Sequence, residues 1–128
     1  MFQIDTRGRT SIYEQIVNGF KELIVTGILK TDEKLPSIRE LSKTFTVNPN
    51  TIQKSYRELE RQGYIYAVVG LGSFVSAIDD QRVDEKKLEE VKENMRSCLA
   101  EFLYLNLNKT KTLNIIKQLM EERSNWND

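Results

Sequence analysis

The chain has 128 residues, enough for one domain with its own core and a short appendage, without help from disulfides or metals. Its 19 basic and 19 acidic side chains cancel, which argues against a disordered polyelectrolyte and against coating of nucleic acid or membrane by net charge alone. The absence of histidine removes the commonest general base and metal ligand, and a single cysteine, Cys98, leaves no internal disulfide and no cysteine-based zinc site.

The first periodic segment runs from Ser11 to Thr26, where Ile12, Ile16, Phe20, Leu23 and Ile24 recur as one buried helical stripe. Ser11 and Glu14 have the form of a capping box, and Gly27 supplies the left-handed residue that ends many helices. Pro36 disfavours helical geometry at Leu35, and a second capping box, Ser37 with Glu40, opens the next helix. That helix buries Ile38, Leu41 and Phe45 and stops near Thr46. Asn48 is a strong N-cap, and Pro49 suits the first helical position because its missing N–H would have had no partner there. The third helix then runs to about Gln62, with Ile52, Tyr56 and Leu59 inward and Gly63 at its end. Two such helices joined by Thr46-Val47-Asn48 have the form of a helix-turn-helix, with Val47 plugging the space between them.

From Tyr64 to Ala77 aromatic and β-branched residues flank Gly70-Leu71-Gly72, which predicts a β-hairpin with a glycine-rich tip. No third glycine and no helix follow, so this Gly-x-Gly is not a dinucleotide-binding loop. Asp79 to Glu85 is acidic and reads as a linker or a frayed helix start. The residues Leu88, Val91, Met95, Cys98, Phe102 and Leu105 then alternate at spacings of 3 and 4, a coiled-coil-like seam that Leu99 and Leu103 widen. Asn106-Leu107-Asn108 breaks the pattern, and a last helix carries Leu113, Ile116, Leu119 and Met120 on one face. Neither helix hides its stripe alone, so the pair is expected to pack on each other and on a second copy, an intrachain hairpin being the alternative. On that seam Cys98 reads as a small core residue rather than a redox sensor. Trp126 is expected either to dock on a partner helix or to lack structure.

Charge is uneven. Residues 1–78 carry a net charge of +2 and residues 79–128 a net of −2, and no acid occurs between Leu41 and Arg57, where Lys43, Lys54 and Arg57 are basic. On the third helix Asn50, Gln53, Lys54, Arg57 and Arg61 fall away from the core side. Asn and Gln can bind adenine through two hydrogen bonds, whereas Lys and Arg suit guanine edges or phosphates. A helix with amides at its start and cations behind suits insertion into the major groove of DNA. Thr51 suits a thymine methyl or a phosphate. Asn48 has a competing role as a pure cap, and Ser37 can both cap its helix and face a phosphate. For Arg39, the alternative to a DNA contact is an exposed ion pair with Glu40, worth only about 0–1 kcal/mol.

Taken in order, Gly27-x-Leu29, Leu35-Pro36-Ser37-x-Arg39-x-Leu41, Val47-Asn48-Pro49-Asn50-Thr51, Tyr56-x-x-Leu59, Gly63-Tyr64-Ile65 and Gly70-x-Gly72-Ser73-Phe74-Val75 closely resemble the GntR family of bacterial transcription regulators over about residues 9–77. The short two-helix tail resembles the YtrA-like branch; other branches carry a larger effector-binding domain, which residues 79–128 cannot hold. The resemblance implies a mainly α fold with a small β-hairpin: a winged helix-turn-helix over residues 1–78 and a helical dimerisation segment over residues 79–128. It implies a homodimer on a near-palindromic double-stranded operator and, in this branch, frequent control of nearby transporter genes; a repressor rather than an activator is expected. Arg39 matches a base or phosphate contact of the family, Asn48, Asn50, Thr51 and Gln53 fall where the family touches DNA, and Gly70 and Gly72 match the wing tip. One departure concerns the wing. Members often carry Arg, Lys or His at or just before the first wing glycine, but here Val68 and Val69 precede it and Leu71 stands at the tip. The hairpin thus has no cation of its own.

The competing readings are weaker. A winged-helix module for protein or RNA would be expected to expose large apolar anchors rather than amides and cations. An enzyme lacks a nucleophile beside a base, and no cofactor is expected. No apolar run is long enough to span a bilayer and the first residues lack a signal-peptide stretch, so a cytoplasmic protein is expected.

Overall fold

The computed structural model describes residues 1–77 and 85–123; the acidic stretch Asp79 to Asp84 and Trp126 lie outside the described residues. Along these the order is α1 (Ile12–Val25), α2 (Ile38–Phe45), α3 (Pro49–Arg61), β1 (Ile65–Val68), β2 (Gly72–Val75), α4 (Glu85–Tyr104) and α5 (Lys109–Glu121). The chain separates into two units, Met1–Arg82 and Val83–Asp128. Among the described residues, no helix is long and apolar enough to cross a membrane.

In the first unit the local signals act as expected. The Ser11 hydroxyl accepts from the Glu14 N–H at 3.1 Å and the Ser37 hydroxyl from the Glu40 N–H at 3.0 Å. The return halves of the two capping boxes are not made among the described residues, so each serine caps alone. α3 ends in a Schellman motif: Gly63, at φ +81°, donates to the Glu60 carbonyl and Tyr64 to the Leu59 carbonyl. The core lies between α1, α2, α3 and the hairpin, with Ile16, Phe20, Leu41, Ile52, Leu59 and Val75 almost wholly buried. Val47 is buried as the plug of the turn.

Two packing features have no local signal in the sequence. Phe2 folds back over α1, with its ring 5.2 Å from that of Phe20 and 5.3 Å from that of Phe45. A Cβ on Gly19 would meet the Phe2 ring at 2.6 Å, so glycine inside this helix makes the docking possible at its usual cost of about 1 kcal/mol relative to alanine. Ser55 is fully buried, and its hydroxyl donates to the Thr51 carbonyl at 2.8 Å beside the Tyr13 carbonyl. A small residue there lets α3 approach the start of α1.

The hairpin pairs β1 and β2 antiparallel, with Ile65 opposite Val75 and Val68 opposite Gly72. Gly70, at φ +80°, occupies the turn that Leu71 closes by donating to the Val68 carbonyl at 3.0 Å, a position that calls for positive φ. The segment before α2 lies along β2: Asp32 donates to the Val75 carbonyl at 2.8 Å, Val75 to the Glu33 carbonyl at 2.9 Å and Leu35 to the Ser73 carbonyl at 2.9 Å.

In the second unit, α4 and α5 form where the stripes predicted them, with Asn106 at φ +62° in the turn and Asn108 capping α5 by accepting from Lys111 at 2.9 Å. Within one chain the two helices share a groove but leave their stripes largely uncovered, with Phe102 and Ile116 half-buried. No residue of α4 or α5 is buried, and an open apolar groove of about 600 Å³ lies between them. Two amphipathic helices have too little surface to enclose both stripes.

Candidate nucleic-acid interface

The α2–turn–α3 corner is fixed from both ends. Thr46 takes the left-handed conformation, φ 54° and ψ 50°, and ends α2. Val47 then donates to the Ser42 carbonyl at 3.1 Å, while the Ser42 hydroxyl donates to the Val47 carbonyl at 2.6 Å. The Asn48 side-chain oxygen accepts from the Asn50 N–H at 2.8 Å, so its cap role is realised. Across the corner the Tyr56 hydroxyl donates to the Pro36 carbonyl at 2.7 Å. Burial, with the Glu40 charge adding to it, pushes that phenol far above the ordinary tyrosine range. Sequence reasoning had Tyr56 facing inward but not this tie, because its partner lies 20 residues away.

With Ile52, Ser55, Tyr56 and Leu59 buried, the opposite side of α3 is left to Asn50, Gln53, Lys54 and Arg57, all exposed, with Thr51 half-buried beside them. The Lys54 ammonium lies 4.4 Å from the centre of the Tyr13 ring, which steadies a long side chain by a cation–π contact. Arg61 belongs to the same row in sequence, yet its guanidinium is bound to Glu58, with Nε at 2.8 Å and 3.1 Å from the two carboxylate oxygens. That hydrogen bonding holds the Glu58 carboxyl below the usual carboxylate range. Arg39 is exposed at the start of α2 and makes no ion pair with Glu40 among the described residues. Ser37 stands two residues before it, at the helix N-terminus.

At the wing, Gly70 and Gly72 are exposed, as are Val69 and Leu71. Tyr66 and Phe74 stack across the strands at 5.6 Å, and the Tyr66 hydroxyl donates to Asp32 at 2.7 Å, so both aromatics serve the sheet. Sequence reading missed Lys34, which lies against β2 opposite Phe74. The signal available was the extended backbone that Pro36 imposes on Leu35.

In the second unit Met95, Cys98, Phe102, Leu105, Ile116, Leu119 and Met120 line the groove between α4 and α5. Leu88, Val91, Leu99 and Leu113 are also exposed, and Cys98 is exposed rather than buried within one chain.

Three helices with a capped three-residue turn, followed by a two-stranded hairpin, define a winged helix-turn-helix protein. The model of the bacterial regulatory proteins of the gntR family matches residues 12–75, and the chain belongs to that family, whose members are transcription regulators and not enzymes. It is 40% identical to the HTH-type transcriptional repressor YtrA of Bacillus subtilis (strain 168), over 93% of this chain and 92% of that protein. Among solved structures it resembles a transcriptional antiterminator from Listeria monocytogenes EGD-e, with a TM-score of 0.76 and 40% identity over 97% of this chain and 90% of the other. It also resembles the DNA-binding domain of AraR in complex with operator ORE1, with a TM-score of 0.52 and 32% identity over 59% of this chain and 95% of that domain.

Proposed function

We propose that this chain is a cytoplasmic repressor that reads a near-palindromic DNA operator as a homodimer, with residues 1–78 binding DNA and residues 79–128 forming the dimer. The observation that carries the reading is the outer face of α3: amides at a capped N-terminal end, cations one turn on, and no acid among them. In this reading α3 enters the major groove. Asn50 and Gln53 meet base edges, Thr51 meets a thymine methyl or a phosphate, and Lys54 and Arg57 meet phosphates. Asn48 contributes mainly as the cap that orients the first turn. Ser37 and Arg39 meet the backbone or the edge of the groove from the start of α2, and Gly70 and Gly72 let the wing come close.

The dimer reading rests on the uncovered stripes of the second unit. Met95 keeps 44% of its surface exposed and Leu105 keeps 70%, values that a lone helical hairpin does not improve. A second copy would cover the same residues on both chains with one symmetric contact. Transporter genes near its own gene are the proposed targets, as the resemblance to the YtrA-like branch implies. The test is a gel shift with duplex from the region upstream of the chain's own gene, against unrelated duplex and against RNA of the same region. The reading predicts retardation that survives both competitors. Equal competition by RNA would favour an RNA-binding module instead.

A further inference from the structure

We infer that Lys34, a residue outside the hairpin, is the cation of the wing, and that with Arg39 it holds one backbone phosphate of bound DNA between the wing tip and the start of α2. The inference rests on the DNA-binding reading above and deepens it. From Gln62 to Ala77 the chain has no Lys or Arg, so the hairpin brings no positive charge of its own. Lys34 supplies one by pairing. It forms an antiparallel bridge with Phe74, and the flanking bonds Leu35 to Ser73 and Val75 to Glu33, each 2.9 Å, fix its backbone along β2.

The side chain then runs along the wing tip. A Cβ on Gly72 would stand 3.0 Å from Lys34 Cε and 3.8 Å from its Nζ, so the end of the lysine side chain lies directly against Gly72. The acids next to Lys34 are engaged elsewhere. Asp32 accepts from the Tyr66 hydroxyl at 2.7 Å, and the Glu33 carboxylate from the Lys30 N–H at 3.2 Å. Among the described residues Lys34 makes no ion pair. A groove of about 350 Å³ opens there, and Lys34, Ser37, Arg39, Leu71, Gly72 and Ser73 all line it.

An ammonium and a guanidinium on one small groove, with two hydroxyls and the positive end of α2, offer donors for both free oxygens of an anionic phosphodiester. Among the described residues neither cation is paired with a carboxylate, which leaves both charges to the ligand.

The test is a set of anisotropy titrations of the full chain against the upstream duplex at several salt concentrations. Lys34→Gln is expected to flatten the log–log salt slope, by up to about 0.9 per bound subunit because Arg39 still faces the same phosphate, and to weaken all sequences alike. Lys34→Arg is expected to keep the slope, and Leu71→Arg added to Lys34→Gln to restore it from the neighbouring position. Wild-type binding with an unchanged slope in Lys34→Gln would overturn the role of Lys34 and leave the DNA-binding reading standing. A wild-type chain that binds no duplex in preference to competitor would overturn both.

Discussion

The phenol of Tyr56, on α3, donates to the carbonyl of Pro36 at 2.7 Å, one residue before the cap of α2. The bond ties the two helices of the motif at the end away from their turn, and the ring packs edge-on against Phe20 at 5.6 Å. Tyr56→Phe keeps that packing and leaves the Pro36 carbonyl without this donor. The expected cost is about 0.5–1.5 kcal/mol in urea unfolding.

The same residue shapes the alkaline limit of stability. Burial raises its folded-state pKa, so the folded chain holds this proton after the unfolded chain has lost it near pH ~10. The stabilisation is complete below that pH and is lost as pH rises above it. Wild type should therefore lose stability more steeply above pH ~10 than Tyr56→Phe does. Parallel alkaline slopes would show that the phenol is not held this way.

Thr46 is a β-branched residue at φ 54°, which costs an L-residue about 1–2 kcal/mol. Its side chain is exposed and makes no hydrogen bond among the described residues. Thr46→Gly should remove the strain, and the extra freedom of glycine in the unfolded chain returns about 0.4–1 kcal/mol of it. A thermal midpoint a few degrees higher is expected. A lower midpoint would mean that the threonine makes a contribution its exposure does not reveal.

What could be read from the sequence was local. Ser11, Ser37 and Asn48 act within three residues of themselves, Pro49 and Gly63 act on their own backbone, and the stripes of α1 and α3 follow the helical period. What escaped depends on residues far apart in the chain. Tyr56 with Pro36, Lys34 with Phe74 and Phe2 with Gly19 meet only after folding, and nothing in the local spacing marks them. The row on α3 was visible as exposed polarity, but periodicity could not tell that Arg61 would turn to Glu58 while Arg57 stays open. The stripes of α4 and α5 were equally visible, and their spacing already implied that one hairpin leaves them partly uncovered; what spacing could not give is the shape of the open groove between them.

Gln53, Lys54 and Arg39 should fail in different ways. Gln53→Ala should relax discrimination at one base pair by about 1–3 kcal/mol, as loss of a bidentate contact does. Lys54→Ala should weaken all sequences alike and flatten the salt slope, with a small loss of stability from the Tyr13 contact. Arg39→Ala should cost the most affinity, because its fork of donors can serve a base and a phosphate together. Titrations against single-base changes at two salt concentrations separate the three. Uniform loss in Gln53→Ala with loss at one position in Lys54→Ala would mean that the reading face is rotated by about one residue.

Met95→Glu puts a charge in the middle of the uncovered α4 stripe. It should convert dimers to monomers in sedimentation and weaken binding to paired half-sites, while circular dichroism stays helical. A variant that stays dimeric, together with a dimeric 1–78 fragment, would put the interface in the first unit.

Hydroxyl-radical footprinting of the wild-type chain on its own upstream DNA tests the central claim most directly. Two α3 helices related by a dimer axis should protect two half-sites about one helical turn apart, with related inverted sequences. Protection that is uniform along the duplex, or that unrelated duplex removes as readily, would contradict the account.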